Sequence, residues 1–99
     1  MQIIENRTDA AVQLSVSGRL DTTTAPQLEA KLKETAKNIK TLVLDLGGVE
    51  YISSAGLRVV LLAHKLMAGI SGTMIVHNPS AFCTQVFGAT GMNSVLTIK

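Results

Sequence analysis

Between Thr41 and Ala63 the chain changes character three times, and the order of the changes restricts the fold more than any other stretch. Thr41-Leu42-Val43-Leu44-Asp45-Leu46 is almost continuously apolar, the pattern of a strand covered on both faces in a parallel sheet. Gly47-Gly48 follows and reads as a pair of tight-turn glycines. The paired serines Ser53-Ser54 then open the apolar run Val59-Val60-Leu61-Leu62-Ala63, which predicts a helix from about Ser53 to Ala68 with Gly69 and Gly72 as stop signals. A buried strand feeding a buried helix is half of a βαβ unit, and such units build parallel sheets by right-handed crossovers.

The rest of the chain fits that frame. Ile3–Thr8 and Ala11–Ser17, with Val12, Leu14 and Val16 alternating against polar residues, predict an antiparallel hairpin turning at Asp9-Ala10 and closed by Gly18. Thr24-Ala25-Pro26-Gln27 has the form of a capping box, and Leu28, Leu32, Ala36 and Ile39 follow at helical spacing. Thr73–His77 reads as a strand, Asn78-Pro79 as the start of a third helix ending at Gly88, and Val95–Ile98 as a last strand. The predicted order is β-β-α-β-α-β-α-β: a single α/β domain over residues 1–99, mostly parallel, with an N-terminal hairpin and helices packed on the sheet. A chain of 99 residues suits one core.

Composition removes several function classes. The net charge is +2, from nine basic and seven acidic residues with no basic run, and one Tyr and two Phe are the only aromatics; direct nucleic-acid binding is not expected. The apolar run of the second helix is interrupted by Arg58, His64 and Lys65, which excludes membrane insertion. Cys83 is the only cysteine and no signal-peptide pattern opens the chain; a reducing, cytoplasmic setting is expected. Cys83, His64 and His77 show no ligand spacing, so neither metal nor other cofactor is expected. With 46% hydrophobic and only 16% charged residues, part of the apolar surface should meet a partner. Arg58, Leu62, Lys65 and Gly69 share one helical stripe. Leu62 there is either an isolated exposed leucine or part of a docking surface.

Two hydroxyls at a helix start leave several roles open. Serine is a favoured N-cap, and one serine suffices for it; the other is then free, beside a helix terminus that tolerates negative charge. Nucleophilic catalysis is disfavoured. The G-x-S-x-G elbow is not met, because Ile52 stands where glycine is required, and His64 and His77 are the only candidate bases. Gly47-Gly48 lacks the Lys-Ser/Thr of a phosphate loop.

The segment from Asp45 to Leu57, with Tyr51-Ile52-Ser53-Ser54-Ala55-Gly56-Leu57 at its centre, resembles the signature of STAS domains, in particular bacterial anti-sigma-factor antagonists. Gly18-Arg19-Leu20-Asp21 with its Thr-rich sequel, and the region from Asn78-Pro79 to Met92, resemble the family's other recurring blocks. The resemblance implies a non-enzymatic regulator that binds a kinase-type anti-sigma factor when unphosphorylated and is released when that serine kinase phosphorylates it, with a PP2C-type phosphatase as the opposing partner. Aligned on Gly56-Leu57, the phosphoacceptor is Ser54, with Ser53 as cap or alternative acceptor. Asp21 and Gly56 support the site, and Thr22, Ser53, Ser54, Ala55, Arg58 and Leu62 meet the partner.

Two departures stand out: Ser53 occupies the place of a family Asp, and Ala55 that of a hydroxyl residue. Many relatives also continue into a further C-terminal helix, which implies an open surface here. Similar domains serve as non-phosphorylated subunits of lipid-transporting ABC complexes or as signalling scaffolds, and this is the alternative function.

Overall fold

In the computed structural model, which describes residues 1–99, β1 (Gln2–Thr8) pairs antiparallel with β2 (Ala11–Leu20), and the remaining strands join in parallel. These are β3 (Thr41–Ile52), β4 (Thr73–His77) and β5 (Thr97–Ile98), in the spatial order β1-β2-β3-β4-β5. Helix α1 (Ala25–Thr35) links β2 to β3, α2 (Ser54–Gly69) links β3 to β4, and α3 (Ala81–Thr90) with a 3-10 turn at Met92–Ser94 leads to β5. The α/β class and the element order agree with the sequence.

Every parallel crossover steps in the same direction across the sheet. Right-handed connections then put all three helices on one face. Burial says the same: Val12, Leu14, Val16, Leu42, Leu44, Leu46, Met74 and Val76 share one hydrophobic cluster with Leu28 and Leu32 of α1, Val60 and Met67 of α2, and Cys83 and Phe87 of α3. Their strand neighbours Gln13, Ser15, Val43, Asp45 and Ile75 are half-buried, and Val43 and Ile75 do not pack against that cluster. The expectation that Thr41–Leu46 is covered on both faces is therefore corrected. An apolar run there reflects small β-branched residues on the open face, and a Cα thickness of 19 Å leaves room for a sheet and one helical layer.

Several boundaries also move. Gly18 does not close β2, which runs on to Leu20 with Gly18 at φ 92°. Gly47-Gly48 is not a turn but lies inside β3, which is 12 residues long. α1 stops at Thr35, and Ile39 is buried from the loop beyond it. α3 begins after Ser80, whose hydroxyl accepts from the Cys83 N–H at 3.2 Å, and runs past Gly88 to Thr90, with Gly91 in the left-handed conformation that ends helices.

Candidate functional site

The C-terminal ends of β2 and β3 meet the start of α2, and the local chemistry builds a polar corner there. From Ser15↔Asp45 to Ser17↔Gly48, and again from Gly18↔Val49 to Arg19↔Tyr51, β3 advances one residue more than β2. Two bulges on β3 are the result, and bulges add twist. Their effect is to bring Leu20 beside Ile52, so that the Leu20 carbonyl accepts the Ser53 N–H at 3.0 Å. The Asp21 loop and the α2 N-terminus thereby become neighbours, although 32 positions separate Asp21 from Ser53 in the chain.

The two serines divide their roles. Ser53 is extended (φ −93°, ψ 176°) and its Oγ accepts from the Gly56 N–H at 3.3 Å, which is N-cap geometry. Ser54 is the first residue of α2, exposed to solvent, and the cap leaves its hydroxyl free. The first turn of α2 carries no acidic residue, so no side chain of its own offsets the positive end of the helix dipole. Gly56 is buried against the Leu20 backbone: a Cβ there would lie 2.7 Å from Leu20 O and 2.9 Å from Ile52 Cγ1. Glycine is what allows α2 to sit this close to β2.

Asp21 shapes the other side of the corner. Its Oδ1 accepts from the N–H groups of Thr23 (3.0 Å) and Thr24 (3.2 Å), its carbonyl accepts from Ala25 N–H (2.7 Å), and its own N–H donates to Thr24 Oγ1 (2.9 Å). This is a reciprocal capping box between Asp21 and Thr24. The expected Thr24–Gln27 box is not formed, because Thr24 is already helical (φ −98°, ψ −22°) and its hydroxyl donates to the Arg19 carbonyl at 2.8 Å. Desolvation is the largest influence on the Asp21 carboxyl and pushes its pKa up. The N–H groups of Thr24 and Thr23, the Thr24 hydroxyl and the nearby Arg19 together outweigh it and hold the pKa below the usual value.

Of the other residues named from sequence, Thr22 is exposed in the Asp21 loop, Ala55 is half-buried against the core, and Arg58 is exposed on α2. Leu62 is half-buried and does not pack against the core, which leaves its outward side available. The histidines stand apart in role. His77 ends β4 with Nδ1 3.1 Å from the Lys99 carbonyl oxygen, and His64 is half-buried in the middle of α2. Neither makes a hydrogen bond with Ser54.

Sequence reasoning missed three residues of the corner. The Arg19 guanidinium carbon lies 4.3 Å from the Tyr51 ring centroid, Arg19 Nε is 3.6 Å from Asp21 Oδ2, and Tyr51 packs on Phe82 with centroids 5.2 Å apart. The signal was present in the Gly18–Asp21 and Tyr51–Ser53 blocks, but it requires a register set by two bulges.

The whole chain has relatives. Residues 3–97 match the family described as "Mlab, STAS domain". The chain is 33% identical over 99 residues to BtrV of Bordetella bronchiseptica, named for an anti-sigma factor antagonist, covering 99% of this chain and 85% of that one. It is 28% identical over 99 residues to the anti-sigma-B factor antagonist of Bacillus subtilis, covering 100% of this chain and 89% of that one. In structure it is similar to the anti-sigma factor antagonist SpoIIAA in its unphosphorylated form, with a TM-score of 0.84 at 20% identity over 99% of this chain and 88% of that one. The phosphorylated form of SpoIIAA from Bacillus aligns with a TM-score of 0.78 at 21% identity over 99% of this chain and 91% of that one. A family match along nearly the full length, on a fold shared with these proteins, means that the chain belongs to the STAS domain family.

Proposed function

We propose that this protein is an anti-sigma factor antagonist whose binding to a kinase-type anti-sigma factor is switched off by phosphorylation of Ser54 and restored by a PP2C-type phosphatase. The observation that carries this reading is the division of labour at the α2 N-terminus: Ser53 already supplies the cap, and Ser54 is an exposed hydroxyl beside it. The names of the two curated relatives support the antagonist part of this reading. The docking patch comprises Thr22, Ser53, Ser54, Ala55, Arg58 and Leu62, with Asp21 ordering the loop on the β2 side and Gly56 seating α2 against Leu20.

The switch works through charge rather than refolding. A phosphate adds roughly −1.5 to −2 charge, which the uncompensated helix terminus accepts in the free protein. In a complex the same charge is desolvated within the interface, at a cost of roughly 2–5 kcal/mol. That weakens binding by about 30- to several-thousand-fold.

The test is to incubate the purified protein and ATP with a histidine-kinase-like ATPase encoded beside its gene, then to map phosphate by mass spectrometry. Phosphate on Ser54, weaker binding of Ser54→Asp and retained binding of Ser54→Ala are the expected results. Phosphate on Ser53 alone, or equal affinity of the two Ser54 variants, overturns the assignment. Neighbouring genes for an ABC permease and ATPase, with no phosphate transferred, would favour the subunit role in a lipid-transporting or scaffold complex.

A further inference from the structure

Beside the Ser54 corner the structure holds a charged side chain that rests on an aromatic ring and makes no side-chain hydrogen bond. The Arg19 guanidinium carbon lies over Tyr51, 4.3 Å from the ring centroid, and Tyr51 packs on Phe82 at the start of α3. The Nε edge of the guanidinium faces the Asp21 carboxylate at 3.6 Å, and the side chain is 58% exposed. The guanidinium makes no side-chain hydrogen bond of its own, since the 3.6 Å approach to Asp21 is an ion pair beyond hydrogen-bond distance. A planar fork held in this way matches a carboxylate bidentately and loses little side-chain entropy on binding. Free surface arginines lack that preorganisation.

We infer that Arg19, stacked on Tyr51, is a specificity-determining residue that receives an acidic side chain of the partner protein, extending the docking surface from α2 across the ends of β2 and β3 to Phe82. This inference rests on the functional reading above and adds a contact to it. The occupant is a protein carboxylate for two reasons. The ledge adjoins the Ser54 patch, since the residue after Arg19, Leu20, accepts the Ser53 N–H at 3.0 Å. Within the patch, Arg19 and Arg58 are cationic against the single carboxylate of Asp21, and α2 carries no acidic residue. Phe82, half-buried and packed against the core, gives the contact an apolar margin that excludes water, as recognition arginines require.

The experiment titrates the full chain against the same kinase-type ATPase by calorimetry at low and high salt, using Arg19→Glu, Arg19→Gln and Arg19→Lys. Because Arg19 is exposed, all three should melt close to the parent, and Arg19→Lys guards against a conformational artefact. Arg19→Glu should weaken binding by about tenfold or more through like-charge contact. Arg19→Gln should bind less tightly and with a shallower salt dependence, and Arg19→Lys should recover part of the loss. Binding of Arg19→Glu within twofold of the parent overturns the inference, as does a loss in Arg19→Gln with an unchanged salt slope. If instead a phosphoserine installed at position 54 shows a second phosphate pKa by 31P NMR that rises in Arg19→Gln while partner affinity of the unphosphorylated pair is equal, the fork serves the phosphate in cis, and the inference also fails. No binding by the parent protein would overturn the functional reading together with it, whereas parent binding with an indifferent Arg19→Glu removes only Arg19.

Discussion

Ser53 and Ser54 are chemically identical neighbours to which the backbone gives different energies. Ser53→Ala removes the acceptor of the Gly56 N–H and should cost about 1 kcal/mol, while Ser54→Ala, with an exposed side chain, should change stability by less than about 0.5 kcal/mol. Urea denaturation of the two variants checks the contrast. Gly56→Ala should be worse than either, by about 1–3 kcal/mol, because its methyl would meet the Leu20 carbonyl at 2.7 Å and the Leu20 side chain at 2.8 Å. Asp21 supplies a pH signature. Its folded-state pKa is depressed, so its contribution to stability is present above the unfolded-state value and is lost as pH falls through the folded-state value. Carboxyl-detected NMR should therefore show Asp21 titrating below an ordinary aspartate, and Asp21→Asn should flatten the acid limb of the stability curve. The serine cap was legible from sequence because the N-cap preference is local. The Asp21–Thr24 box was not, because Thr24-Ala25-Pro26-Gln27 offers an equally good local pattern, and only the Arg19 carbonyl that engages the Thr24 hydroxyl decides between them.

At the scale of elements, the end of β3 turns a sequence motif into a site. The apolar period identified the first half of the strand, but Gly47-Gly48 looks like a turn in any local reading. Tertiary pairing overrides it: Gly48 sits opposite Ser17 in a continuing parallel ladder. The reason for glycine is steric, since a Cβ at 48 would lie 2.8 Å from Ser17 Cβ and 3.3 Å from Ser17 Cα. Neither is the far end of a flexible side chain. Gly48→Ala should therefore force β2 and β3 apart and cost about 1–3 kcal/mol. Since Arg19↔Tyr51 and Leu20↔Ile52 lie immediately beyond, amide exchange in Gly48→Ala should rise at Ser53, whose N–H bonds to Leu20, before it rises at Leu42 or Leu44. Uniform acceleration along β3 would mean that the bulge does not hold the corner separately from the rest of the sheet.

The whole molecule is a two-layer sandwich with one layer of helices, so neighbouring residues on a strand belong to different environments. Ile75 and Val76 show it most sharply. Val76 is fully buried in the core that joins α1, α2 and α3, whereas Ile75 is half-buried on the open face beside Val43. The sequence did not distinguish them, because Met74-Ile75-Val76 is apolar throughout and carries no alternation; only the common direction of the three crossovers shows that one side lacks a cover. Val76→Thr puts a hydroxyl where no water reaches and should cost about 1–3 kcal/mol, a large share of the roughly 5–15 kcal/mol that holds a domain together. Ile75→Thr exchanges a half-exposed apolar group for a strand-favouring polar one and should cost less than about 1 kcal/mol. Chemical denaturation of both variants reads the difference directly. A large loss in Ile75→Thr at dilute protein concentration would mean that the free face contributes to the fold as a second core; a loss that appears only at high concentration would mean that it is covered by association. Equal small losses in both variants would contradict the one-sided core from which the position of the Ser54 corner follows.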